Sequence, residues 1–107
     1  MIDNYDTTVD SVKVHALQIT RPDKAPIRVI MQPAGNGGCL IVECGNQAWS
    51  RWFSHARGLP FGRFIATYYT EQLVRALHPS SQKYVHARAK YLTDIVLEVQ
   101  EVLRDLC

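Results

Sequence analysis

Gly35-Asn36-Gly37-Gly38-Cys39-Leu40-Ile41-Val42-Glu43-Cys44-Gly45-Asn46-Gln47-Ala48-Trp49-Ser50-Arg51-Trp52-Phe53 is the stretch whose reading decides the fold. Its first glycines supply the positive φ that a tight hairpin demands, and the apolar run Cys39 to Cys44 reads as a strand leaving that turn. Asn46 then stands where a helix cap would. Trp49, Trp52, Phe53 and Ala56 fall at i, i+3, i+4 and i+7, the stripe of a short amphipathic helix that Gly58 closes. Arg51, Ser54 and His55 take its other side. On this reading the chain changes from strands to helices at Gly45.

Toward the amino terminus, Val12, Val14 and Ala16 alternate with Lys13 and His15, and Leu17 and Ile19 continue on the opposite phase. A bulge near Ala16 reconciles the two phases. Arg21-Pro22-Asp23-Lys24-Ala25-Pro26 is a turn, and Ile27, Val29 and Met31 make the next strand. Residues 1–11 are polar and read as a flexible leader. Toward the carboxyl terminus, Pro60 opens a helix with the stripe Phe61, Phe64, Ile65, Tyr68, Tyr69, Leu73, Ala76 and Leu77, closed by His78-Pro79. Ser80 and Ser81 cap the longest element, from about Gln82 to Leu106, with Val85, Ala89, Leu92, Val96, Val99, Leu103 and Leu106 on one side. Such a helix spans roughly 36 Å at ~1.5 Å per residue, longer than a three-stranded sheet is wide. Part of it is therefore expected to project or to meet another chain. The expected fold is α+β: a three-stranded antiparallel meander packed against two or three carboxy-terminal helices, the last one long, in a single domain over 12–107.

The chain has 107 residues, 47% of them hydrophobic, enough for one core without disulfides. No run approaches the ~20 apolar residues of a membrane span, and the acidic start is unlike a signal peptide, so a cytoplasmic protein is expected. Cys39, Cys44 and Cys107 form no metal or redox pair. An odd offset along one strand puts Cys39 and Cys44 on opposite faces, too far apart to bridge, and both read as buried thiols. The histidines lack metal-ligand spacing, the glycine cluster lacks the Gly-Lys-Ser/Thr of a phosphate loop, and no nucleophile elbow is present. The expectation is a protein without catalytic residues, metal or cofactor.

Charge is segregated. Residues 1–44 carry a net −1, residues 45–93 a net +6, and residues 94–107 a net −3, within a total of +2. Such asymmetry speaks to partners. Subtracting aromatics at core spacing leaves a basic surface, and Arg51, His55, Arg57, Arg63 and Arg88 are the candidate partner-binding residues. A surface of cations with nearby rings also suits nucleic acid. The last helix is basic first (Lys83, His86, Arg88, Lys90) and acidic last (Asp94, Glu98, Glu101, Asp105), opposite to what its dipole favours. Antiparallel pairing with a second copy would match the halves, which makes Lys83, Lys90, Leu97 and Glu101 candidates for self-association in a homodimer.

The run Gly38 to Ser50 followed by Trp52-Phe53 resembles a group of small proteins encoded by tailed bacteriophages and prophages. The shared features are Glu43-Cys44 at a strand end, Ala48-Trp49-Ser50 with Trp52, the aromatic segment Tyr69 to Leu77, and Tyr91-Leu92-Thr93-Asp94-Ile95-Val96 with Val99. After Trp52-Phe53 this chain departs from the group, carrying Ala56-Arg57-Gly58-Leu59-Pro60-Phe61 and a basic helix. The resemblance implies a virus acting inside a bacterium. In that setting a protein without catalytic residues is expected to bind a host protein or ribonucleoprotein complex and inhibit or redirect it, in the manner of an anti-CRISPR inhibitor. Direct nucleic-acid binding by the basic middle is the competing expectation.

Overall fold

A computed structural model describes residues 11–78 and 86–106, with the backbone alone described at residues 86–88. Four strands precede three helices: β1 (His15–Arg21), β2 (Lys24–Ala34), β3 (Gly37–Cys44), β4 (Gln47–Phe53), α1 (Phe61–Thr67), α2 (Thr70–Leu77) and α3 (His86–Leu106). The class is α+β. The strands pair antiparallel in the order β1-β2-β3-β4, so every neighbour in the sheet is a neighbour in sequence.

The fourth strand corrects the expected Trp helix. Cys44 pairs with Gln47 around the two-residue loop Gly45-Asn46, and Val42↔Trp49, Leu40↔Arg51 and Gly38↔Phe53 continue the ladder. Gly45 takes φ +62°, which opens a tight hairpin at no steric cost. Asn46 is thus a turn residue and caps no helix. Gly35-Asn36 makes the equivalent turn between β2 and β3, closed by Ala34↔Gly37. Between β1 and β2 the turn is Pro22-Asp23, with Pro fixing the first torsion and Asp23 at φ +59°.

Alternation assigns the two sheet faces. Leu17 and Ile19 of β1, Ile27, Val29 and Met31 of β2, Leu40, Val42 and Cys44 of β3, and Trp49 and Phe53 of β4 point to the helices. Ala16, Gln18, Thr20, Arg28, Ile30, Gln32, Cys39, Ile41, Glu43, Ala48, Ser50 and Trp52 share the opposite face, which no described element covers. The expected start of β1 at Val12 and the bulge near Ala16 are both corrected. Val12 and Val14 are exposed ahead of the strand, and the register shifts between Ile19 and Arg21. Leu17 and Ile19 are therefore the inward phase. Cys39 and Cys44 do lie on opposite faces as free thiols, Cys44 buried and Cys39 only half-buried.

The predicted single helix from Pro60 to His78 is two helices. Tyr68 (ψ 149°) and Tyr69 (ψ 122°) are extended and break it between α1 and α2. The break leaves carbonyls that α3 helps to satisfy, the Ile65 carbonyl also accepting the Tyr68 N–H at 3.4 Å. Gln100, 1% exposed, donates its side-chain amide to the Ile65 carbonyl (3.0 Å) and the Tyr68 carbonyl (2.7 Å), and accepts from the Thr70 hydroxyl (2.7 Å). The Arg104 guanidinium reaches the Ala66 carbonyl at 3.5 Å. A buried polar group so fully paired can sit in a core without penalty.

Along α3, Ala89, Leu92, Ile95, Val96, Val99 and Leu103 are all buried against the sheet and the other helices. The 21 described residues span about 31 Å, and their apolar stripe is buried from Ala89 to Leu103. Leu106, placed on the apolar stripe from sequence, is 64% exposed. Ser80, Ser81 and Val85 lie outside the described residues, as do residues 1–10, which make up most of the expected leader.

Candidate functional site

Phe53, the last residue of β4, anchors the strand end. Its ring meets Phe61, Phe64 and Tyr68 at centroid distances of 6.1, 5.6 and 5.9 Å. Each such pair contributes roughly 0.5–1.5 kcal/mol beyond burial. Gly37 lets β4 and the following loop close in, because a Cβ there would collide with the Phe53 carbonyl. The Ala56 N–H then bonds the Asn36 carbonyl at 2.6 Å, tying the loop to the β2–β3 turn. These contacts fix where Arg51, His55 and Arg57 emerge.

Those three residues line one cleft of about 290 Å³ at the outer edge of β4, together with Trp52, Ser54, Phe64, Tyr68 and Ala76. Arg57 holds φ +55° in the turn after β4, and its guanidinium carbon lies 5.9 Å from the Tyr68 ring centroid. That is cation–π range. Among the described residues, the ion pairs are Arg21–Glu98, Arg28–Glu43 and Arg75–Glu71, so Arg51, His55 and Arg57 face no acidic partner among those residues. Exposed cations converging on a cleft leave a local positive field for an anionic group to answer.

Arg63 does not join them. It borders a separate apolar groove of about 450 Å³, lined by His15, Leu17, Met31, Pro33, Phe61 and Leu106 among others. The Arg88 side chain and Lys83 lie outside what is described. Lys90, Leu97 and Glu101 are all exposed on the outer side of α3, Leu97 to 46%.

Trp52 was missed as a surface residue. With the segment in a strand, Trp49 and Phe53 turn inward and Trp52, an odd number of residues from each, turns out and is 56% exposed. It stands in one cross-strand row with Cys39 and Gln32, and the adjacent row is Ala16, Ile30, Ile41 and Ser50. The third row carries the Arg28–Glu43 pair at 3.8 Å, which leaves the uncovered face close to neutral. The alternation Trp49, Arg51, Phe53 after a Gly-Asn pair was the signal that could have found it.

A second polar cluster lies under the sheet near β1. Arg21, its side chain only 10% exposed, donates to the Ala25 carbonyl (2.7 Å), to Glu98 (3.3 Å) and to the Cys44 sulfur (3.3 Å). The Tyr91 hydroxyl also points at that sulfur, at 3.5 Å. The hydrogen bond to Cys44, with desolvation and electrostatic repulsion from the Cys44 sulfur behind it, raises the Tyr91 pKa above its usual value, and Arg21 opposes the shift. With every member paired, the cluster reads as a clasp between β1, β3 and α3. Among the described residues no group of three or more His, Cys, Asp and Glu is placed to hold a metal, and no helix is long and apolar enough to cross a membrane. Comparison of the chain with protein-family models, with curated proteins and with solved structures finds no match.

Proposed function

We propose that this chain is a phage-encoded accessory protein without catalytic activity that binds a host protein or ribonucleoprotein complex and inhibits or redirects it. One observation carries the reading. Trp52 stands exposed on an uncovered sheet face, bordering a cleft whose basic residues Arg51, His55 and Arg57 have no acidic partner among the described residues. Interfaces between proteins centre on an aromatic or arginine anchor within a mixed surface, and charges at the rim steer the encounter. The open face supplies Trp52, Ile30 and Ile41 as the apolar part, and the cleft supplies the rim. The setting rests on the sequence resemblance.

The test is capture from a bacterial lysate by wild type, by the Arg51→Glu/Arg57→Glu double variant and by Trp52→Ala, each with a thermal melt. A host complex retained by wild type and lost by both variants, with melting midpoints unchanged, supports the reading. Equal capture by all three rejects this surface.

A second reading is favoured by the Arg57–Tyr68 contact and the exposed Trp52, since cations beside free rings suit single-stranded nucleic acid. Its mark is a mobility shift with DNA or RNA oligonucleotides at low salt that vanishes as salt rises. The neutral Arg28–Glu43 row argues for a protein partner first.

A further inference from the structure

β1 is an edge strand. It pairs with β2 on one side, and no described strand pairs with its other side. Exposed edges are templates for further strand pairing, and proteins that keep them unpaired usually blunt them with proline, a mid-strand charge or an inward-pointing lysine. From His15 to Thr20 this edge has no proline, and its residues are His, Ala, Leu, Gln, Ile and Thr. Leu17 and Ile19 are only half-buried on the helix side. The apolar groove bounded by Leu17, Met31, Phe61 and Leu106 lies beside the same edge.

We infer that β1 pairs antiparallel with β1 of a second copy, on a two-fold axis through Gln18, joining two sheets into one. The register follows from the side chains. Gln18 is the midpoint of His15–Arg21, so this pairing uses the whole strand with no overhang. It sets Leu17 opposite Ile19 of the second copy on the helix side and Ala16 opposite Thr20 on the open side. Just beyond the strand ends, it brings Lys13 toward Asp23 of the second copy. Shifting the axis to Leu17 sets Lys13 against Arg21, like charges. Shifting it to Ile19 sets Leu17 against Arg21. The Gln18 register also sets His15 opposite Arg21, whose guanidinium is already held by Glu98 and the Ala25 carbonyl. Apolar matching and the approach of Lys13 to Asp23 therefore select this register. Ile19 of the second copy closes the groove beside Leu17, which explains an apolar groove at this edge. The interface is isologous, as closed dimers require. It uses the opposite edge of the sheet from Trp52 and the basic cleft, so it stands apart from the proposed partner surface.

The experiment is cross-linking by cysteine in a Cys39→Ser/Cys107→Ser background. On the axis, Gln18 and its symmetry mate have Cα atoms about 4.5–5.5 Å apart, inside the range a disulfide spans. Thr20 and its mate are about 13 Å apart. Under mild oxidation Gln18→Cys should give a covalent dimer of about 24 kDa, twice the 12.2 kDa chain, and Thr20→Cys should not. Sedimentation of the unmodified protein at tens of micromolar should show a dimer, which Lys13→Glu weakens about two- to fivefold and Leu97→Glu on α3 leaves intact. A monomer at every concentration overturns the inference, as does equal cross-linking at positions 18 and 20. Dissociation by Leu97→Glu with no cross-link at position 18 places the contact on α3 and overturns it too.

Discussion

Gln100→Leu isolates what holds the broken helix together. Leucine fills nearly the same volume and suits a site 1% exposed, so the substitution opens no large cavity and gains apolar contact. What it removes is a partner of three polar groups. The Ile65 carbonyl keeps the Tyr68 N–H at 3.4 Å, so losing the amide there costs about 0.5–1 kcal/mol. The Tyr68 carbonyl and Thr70 hydroxyl are part-buried and water can reach them, so each costs about 0.5–1 kcal/mol. The expected net loss is about 2 kcal/mol. For a domain of this size each kcal/mol moves the midpoint by roughly 4–8 °C, so the variant should melt some 10 °C below wild type, to order of magnitude. In urea, with a slope of about 1.5 kcal/mol per molar, its midpoint should fall by about 1.3 M. Gln100→Glu supplies the control. Its carboxylate faces two carbonyls in a desolvated site, which raises its folded pKa, so that stability is retained at low pH and lost as pH rises through that pKa. Its deficit against wild type should shrink as pH falls from about 7 to about 5. A Gln100→Leu protein within about 0.5 kcal/mol of wild type refutes the reasoning, because the carbonyls would then need no partner from α3.

Tyr91 gives a pH prediction. Its folded pKa is raised, so its stabilising contribution is complete below the ordinary tyrosine value and lost as pH climbs through the raised one. Unfolding measured above pH ~10 should show a decline for wild type that Tyr91→Phe lacks, and ultraviolet titration should show one phenol ionising late. Identical slopes for the two proteins would count against the Cys44 contact. Gly37→Ala should cost roughly 3 kcal/mol or more by driving a methyl into the Phe53 carbonyl, which calorimetry would register; a near-native melt would mean that β4 can move away.

Much of the fold was legible before the structure. β2, β3, the Gly35-Asn36 turn and the buried arc of α3 follow from alternation, turn residues and helical spacing. The Trp segment was misread because Trp49, Trp52, Phe53 and Ala56 satisfy a helical stripe while Trp49, Arg51 and Phe53 satisfy a strand. Seven residues are too few for periodicity to separate the two. The arbiter was Gly45-Asn46, a two-residue hairpin loop. Tyr68 and Tyr69 hide a break because the apolar stripe runs through them uninterrupted. The clue lay far away, in Gln100 standing polar inside an apolar arc. For the candidate site, Arg51, His55 and Arg57 were legible as basic residues on one short segment and do meet in one cleft. Trp52 was not, since its exposure depends on the strand assignment. Arg63 fails to join because α1 carries it to the far side, a matter of tertiary placement that sequence spacing does not encode.

Because helices cover the sheet on one side only, alternation divides its residues into two classes under different constraints. Val29, Val42 and Trp49 are held by everything they touch, and a change there is felt across the core. Gln18, Ser50 and Trp52 are exposed on the open face and can be exchanged at small cost in stability. If the open face is the partner surface, as proposed, recognition can be altered one open-face residue at a time without rebuilding the scaffold.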